Sequence, residues 1–120
     1  MSPVEVQVFG VRKSADTRAA LRFFAERRIK THFVDLDERA PSPRELERFA
    51  HKFGVQALID RASKRFDQLG LRAAQLTDTR WLERLEQEPL LLRLPLVRWQ
   101  QEVTIGDASA QWKLWTERGA

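Results

Sequence analysis

The chain contains no cysteine. That absence excludes disulfides, thiolate metal centres and a cysteine nucleophile, and with them any reaction that runs through a mixed disulfide. Histidine is scarce: His32 and His51 are the only two, too few for a histidine-based metal cluster, so no metal and no cofactor is expected. No apolar run approaches the ~20 residues that a membrane-spanning helix needs, so no membrane association is expected. Met1-Ser2-Pro3-Val4 shows no basic segment leading into an apolar stretch. No secretion signal is read there, and a cytoplasmic location is the expectation. There is no internal repeat, no low-complexity stretch and no linker that would divide the chain.

What is present is ordinary for a globular protein. The chain has 120 residues, 42% hydrophobic and 32% charged, which fits one domain over residues 1–120. A domain of this length buries on the order of two-thirds of its unfolded surface. The net charge is +4. The arginines are mixed with acids, as in Glu26-Arg27-Arg28 and Glu45-Leu46-Glu47-Arg48, which is the pattern of solvated helix faces. No run of like charge and no interleaved aromatics mark a nucleic-acid surface, so nucleic acid is not an expected partner.

Residues 4–9 read as a short β-branched strand with Val4, Val6 and Val8 alternating, and Gly10 ends it. Residues 15–28 have helical spacing, with Ala20 and Leu21 sharing a stripe with Phe24. Residues 31–36 read as a second strand, apolar enough to be buried on both faces. Ser42-Pro43-Arg44-Glu45 starts a helix: Ser42 caps, Pro43 fits the first helical position, and Glu45 completes a capping box. Leu46, Phe49, Ala50 and Phe53 then form its apolar stripe, and Gly54 stops it.

Residues 55–60 read as a further short helix, and residues 64–71 as a turn-rich connector anchored by Phe66 and Leu69. Thr77-Asp78 opens a helix with Trp81 and Leu85 on one face, ended by Pro89. Residues 96–99 and 102–105 read as a hairpin around Gln100-Gln101, broken at Gly106-Asp107. A last helix over about residues 108–118 aligns Ala108, Trp112 and Trp115. The order is βαβ, several helices, a hairpin and a helix. The first unit demands a parallel pair with a right-handed crossover, and the hairpin adds antiparallel strands. The expected fold class is α/β: a mixed four-stranded sheet flanked by helices, with a helical insertion over about residues 42–90 between the second and third strands.

A strand ending in Gly10, then Val11-Arg12-Lys13-Ser14, then a helix resembles the active-site loop of the arsenate reductase (ArsC)/Spx-like family. Phe66-Asp67-Gln68-Leu69-Gly70-Leu71 is similar to that family's aromatic-acidic-Gln-Leu-Gly-Leu segment, and residues 89–97, PLLLRLPLV, to its proline-flanked hydrophobic stretch. The resemblance covers nearly the whole chain and rests on the order and spacing of several motifs. It implies a thioredoxin-like (glutaredoxin-like) fold and a cis Leu94-Pro95 bond facing the Ser14 loop.

Two departures bear on function. Ser14 stands where the family has its reactive cysteine, and Leu94 where it has the arginine before the proline. A deliberate Cys→Ser change would account for the first and not for the second. A serine hydroxyl ionises far above physiological pH, so neither a helix terminus nor basic neighbours make it equivalent to a thiolate. Leu94 cannot supply a bidentate anion contact, and the adjacent Arg93 should point elsewhere.

The loop can still attract an anion, because a helix N-terminus presents unpaired N–H groups beside Arg12 and Lys13. The alternative for Ser14 is capping alone, with Asp16 complementing the helix dipole. The candidate ligand site is Gly10, Val11, Arg12, Lys13, Ser14 and Ala15 with Arg93, Leu94 and Pro95. No residue is assigned a catalytic role, and no Gly-x-Ser-x-Gly elbow supports a hydrolytic triad around Ser14.

Arg61 and Arg65 read as exposed arginines, His32 as a satisfied core histidine and His51 as a surface residue. The tryptophans read as core, with Trp112 and Trp115 a partner surface if the last helix is open on that side. The resemblance leaves three functions: a binding domain without reductase activity, for a small anionic or glutathione-like ligand or a protein; an arsenate reductase-like or glutathione-linked oxidoreductase using an external thiol; or a Spx-like regulator docking on RNA polymerase. A monomer is expected.

Overall fold

The computed structural model describes residues 5–119. Val4, expected to start the first strand, and the Met1–Val4 segment lie outside the described residues. The chain divides into two compact units, residues 1–39 with 94–120 and residues 40–93. Among the described residues no helix is long and apolar enough to cross a membrane.

The first unit holds the sheet. Strands β1 (Glu5–Gly10), β2 (Lys30–Asp35), β3 (Leu96–Trp99) and β4 (Glu102–Ile105) lie in the order β2-β1-β3-β4. β1 and β2 are parallel, joined by helix α1 (Ala15–Glu26); β3 is antiparallel to β1 and forms a hairpin with β4. Helix α5 (Ser109–Gly119) follows. Val6, Val8, Val97 and Trp99 on one sheet face pack with Ala20 and Phe24 of α1 and Trp112 and Trp115 of α5. The core is aromatic at its centre: Phe24 and Trp112 rings lie 5.4 Å apart, Trp99 and Trp115 5.9 Å apart. Trp112 Nε1 donates to Thr104 Oγ1 at 2.8 Å, so its polar atom is satisfied in burial. Trp112 and Trp115 are core residues, not an open surface.

Helix α1 stops two residues short of the expected end, and the stop has a clear cause. Ile29 N donates to Phe24 O and Arg28 N to Ala25 O, a complete Schellman motif, with Arg28 at φ 58. Glycine normally fills that left-handed position because it carries no Cβ penalty.

The second strand corrects the expectation of burial on both faces. β2 is an edge strand, with Lys30 and His32 exposed and Phe33 and Val34 partly so. His32 is accordingly not a core histidine: its side chain is 54% exposed.

The second unit is helical. Helix α2 (Pro43–Phe53) begins with the expected capping box, Ser42 Oγ accepting from Glu45 N at 3.1 Å and Glu45 Oε1 from Ser42 N at 2.8 Å. Leu46 and Phe49 are buried, whereas Phe53, placed in the same stripe by spacing, is 37% exposed. The expected helix at residues 55–60 is a 3-10 turn, Val55–Leu58, after which Ile59 bridges Leu92. The expected connector contains helix α3 (Lys64–Gln68), capped by Ser63, and a 3-10 turn, Leu71–Ala73. Helix α4 (Asp78–Gln87) is capped by Thr77 and buries Trp81 and Leu85.

The expectation for Arg65 also changes. It is a bidentate partner of Glu88, with Nη2–Oε1 at 2.7 Å and Nε–Oε2 at 2.9 Å, and both side chains are about two-thirds covered. The hydrogen bond to Arg65 holds the Glu88 carboxyl below the ordinary carboxylate range, against the opposing effect of its partial burial.

Two outcomes follow. Arg28→Gly should stabilise the protein by about 1 kcal/mol in urea unfolding, because the left-handed conformation costs a Cβ-bearing residue about that much. The stability contributed by Glu88 is fully present above its unfolded pKa of about 4.3 and is lost as pH falls through its lower folded-state pKa. The urea-midpoint gap between the parent protein and Glu88→Gln should therefore be constant above about pH 5 and close below about pH 4. A gap that widens on acidification would contradict the direction of the shift.

Candidate functional site

β1 ends at Gly10, whose carbonyl accepts from Leu36 N at 2.9 Å. Val11 turns into the interior, and Ser14 N donates back to Val11 O at 3.0 Å, closing a tight turn. Ser14, extended at φ −78 and ψ 121, is the N-cap of α1, and its Oγ accepts from Thr17 N at 3.2 Å. Arg12 and Lys13 are exposed on the turn. The Arg12 guanidinium lies 4.9 Å over the Phe33 ring of β2, and Arg12 O accepts from Arg18 Nη1 at 2.7 Å, so the turn is fixed from both sides. Ala15 and Asp16 occupy the first two helical positions, whose N–H groups have no intrahelical acceptor.

One residue that spacing did not single out sets this geometry. Thr17 is fully buried, its Oγ1 makes no hydrogen bond, and it lies against Gly10. A Cβ on Gly10 would stand 2.5 Å from Thr17 Oγ1 and 2.6 Å from its Cγ2, so only glycine lets the first turn of α1 seat on the end of β1. The signal available in the sequence was the seven-residue interval from a strand-ending glycine to a threonine in the first turn, which has meaning only once the helix is placed.

The Leu94-Pro95 bond is cis. Phe9 pairs with Leu96, and the next positions along are Gly10, the last residue of β1, and Pro95, the residue just before β3. Pro95 O accepts from Gly106 N at 2.9 Å. The loop residues Gly10, Val11, Arg12, Lys13, Ser14 and Ala15 therefore share one end of the first unit's sheet with Leu94 and Pro95. Arg93 belongs to the second unit, exposed, with its N–H bonded to Leu58 O at 2.8 Å. Arg61 is exposed in that unit, its guanidinium 5.5 Å over Phe66 and 5.7 Å over Trp81. His51 is exposed on the last turn of α2, as expected. Among the described residues, no group of three His, Asp or Glu side chains is placed to hold a metal ion.

A strand, a tight turn, a capped helix and a cis-proline strand alongside it define a thioredoxin-like fold. The ArsC family model matches residues 9–114, and the chain belongs to the ArsC family. Solved structures agree on the fold. An arsenate reductase from Vibrio cholerae is 22% identical, with TM-score 0.79, covering 92% of this chain and 96% of its own. An ArsC family related protein from Bacteroides fragilis is 16% identical, with TM-score 0.81, covering 91% and 95%. An ArsC related protein from Brucella melitensis is 18% identical, with TM-score 0.70, covering 96% and 97%. No curated protein matches the chain.

The seating of α1 is open to a direct check. Gly10→Ala should cost about 1–3 kcal/mol by overpacking, and Thr17→Ala in the same chain should recover part of that loss. Additive costs in the double variant would show that the two residues do not meet.

Proposed function

We propose that this chain is an ArsC-family binding domain that performs no thiol chemistry and takes a small anionic ligand at the loop of residues 10–15. The observation that carries the reading is the state of Ser14. It sits at the head of α1, and its Oγ is committed to the Thr17 N–H as a helix cap. A hydroxyl in that role is neither ionised nor reducible, so the position offers geometry without a nucleophile.

Attraction for an anion does not depend on sulfur. The Ala15 and Asp16 amides lie at the positive end of the helix dipole, and exposed Arg12 and Lys13 flank them. Asp16 opposes this in part, which favours a ligand that approaches from the Arg12 and Lys13 side of the turn. Leu94 offers no charge, so a ligand held here is gripped from the loop alone.

The test is titration of labelled protein with arsenate, phosphate, sulfate and glutathione while following the amides of residues 10–17. Shifts confined to those residues are expected, together with no arsenate reduction in the presence of glutathione. Ser14→Cys combined with Leu94→Arg should place a thiol at the helix terminus with its pKa lowered to 7 or below, giving about tenfold or more thiolate at pH 7 than free cysteine and correspondingly faster alkylation. Turnover of arsenate by the parent protein at enzymatic rates, or silence of residues 10–17 towards all four anions, would sink the proposal.

A further inference from the structure

Strand β2 has a neighbour on one side only, so half of its backbone faces outward. In a parallel pair, alternate residues turn both N–H and C=O towards the neighbouring strand. Leu36 N donates to Gly10 O at 2.9 Å, which fixes the phase. His32 and Val34 share that phase and face β1, whereas Thr31, Phe33 and Asp35 present their backbone groups on the open side. Asp35 O is used by its own turn, accepting from Glu38 N and Arg39 N at 3.0 Å each. Among the described residues, the outward N–H and C=O groups of Thr31 and Phe33 have no backbone partner. An open edge of this kind is a template for a further strand. The opposite edge, β4, is only four residues long, and its Glu102 is already bonded to Arg118.

Charge says which strand fits. Exposed Arg28 and Lys30 stand at the start of β2, and exposed Asp37 and Glu38 follow its end. Two nearby charges are committed within the chain: Arg27 Nη1 donates to Phe23 O at 3.1 Å, and Asp35 Oδ1 accepts from Asp37 N at 3.0 Å. Lys30 has only Glu5 at 3.7 Å, an exposed pair that contributes little. An edge protected by charge of one sign repels a second copy of itself. This edge has opposite signs at its two ends, so a second copy running antiparallel meets basic residues with acidic ones at both. Arg28 adds an independent observation. It holds a left-handed position, φ 58, that glycine fills without penalty. The end of α1 needs that backbone conformation and no side chain, so an exposed guanidinium there points to a use outside the helix.

We infer that the chain associates with a second copy of itself through β2, the two strands antiparallel about a two-fold axis at Phe33. The two four-stranded sheets then join into one. Phe33 of each copy exchanges both backbone bonds with Phe33 of the other, and the Asp35 N–H of each donates to the Thr31 carbonyl of the other. The Arg28 and Lys30 end of one copy lies against the Asp37 and Glu38 end of its partner. Two features keep the dimer weak. The edge is six residues long, well below the extent of a stable interface. Arg12 lies 4.9 Å over the Phe33 ring of its own chain, so like charges share the middle of the contact. The monomer expected from the sequence is the dilute form, and the dimer forms in concentrated protein.

The test is sedimentation equilibrium from dilute to concentrated protein, with amide hydrogen exchange followed at both extremes. The average mass should rise towards twice that of the chain. The Phe33 and Asp35 amides should exchange more slowly in concentrated protein, while those of β4 keep one rate throughout. Arg28→Glu and Glu38→Arg should each weaken self-association about tenfold or more, because each sets like charges together at both ends of the contact. Both positions are exposed, so thermal unfolding of the dilute variants should match the parent. An equimolar mixture of the two variants should recover association, because the mixed pair has opposite charges at both ends again. A mass that stays at one chain at every concentration, protection that appears on β4 and not on β2, or a mixture that associates no better than either variant alone would overturn the inference.

Discussion

Helix α1 begins where it does because β1 ends in a residue without a side chain. Thr17 occupies the space that any Cβ at position 10 would need, and this contact presses the first turn of the helix onto the tip of the strand. The rest of the site is a consequence. With both ends so close, residues 11–13 have room only for a tight turn, Ser14 falls at the cap, and its backbone and side chain both close onto neighbours. The antiparallel register then carries Pro95 to the same end of the sheet. The buried, unbonded Thr17 hydroxyl is the cost of this arrangement, since a hydroxyl removed from water without a partner is destabilising.

That frame separates two properties that a catalytic version of the loop would combine. The fold supplies direction: amides and a dipole at a helix terminus, held by the strand behind them. Thiol chemistry at the head of this helix would need a sulfur at position 14, and an oxygen capping a helix provides none of the electron transfer that a sulfur provides. The solved ArsC-related structures share this frame at identities between 16% and 22%, which speaks to the backbone and not to what each protein does with it.

The parts legible in the sequence were those encoded locally. The capping box at Ser42 and Glu45, the capping alternative for Ser14, the helix opening at Thr77-Asp78, the hairpin limits and the α/β order all depend on residues a few positions apart, and the structure has them. What was not legible depends on partners distant along the chain. His32 looks like a core residue because Phe33 and Val34 follow it, yet its exposure is decided by β2 having a neighbour on one side only. Arg65 meets Glu88 across 23 positions. Arg28 breaks the usual preference for glycine at the end of a helix, so no local signal marked where α1 stops.

The capped serine also bears on how the proposed ligand would be held. On the proposed reading no bond is made or broken at position 14, so occupancy follows ligand concentration and affinity, and a change from reducing to oxidising surroundings leaves that affinity as it was. In a fold whose relatives include arsenate reductases, the proposed reading makes this chain a version that responds to how much ligand is present and not to the electron supply.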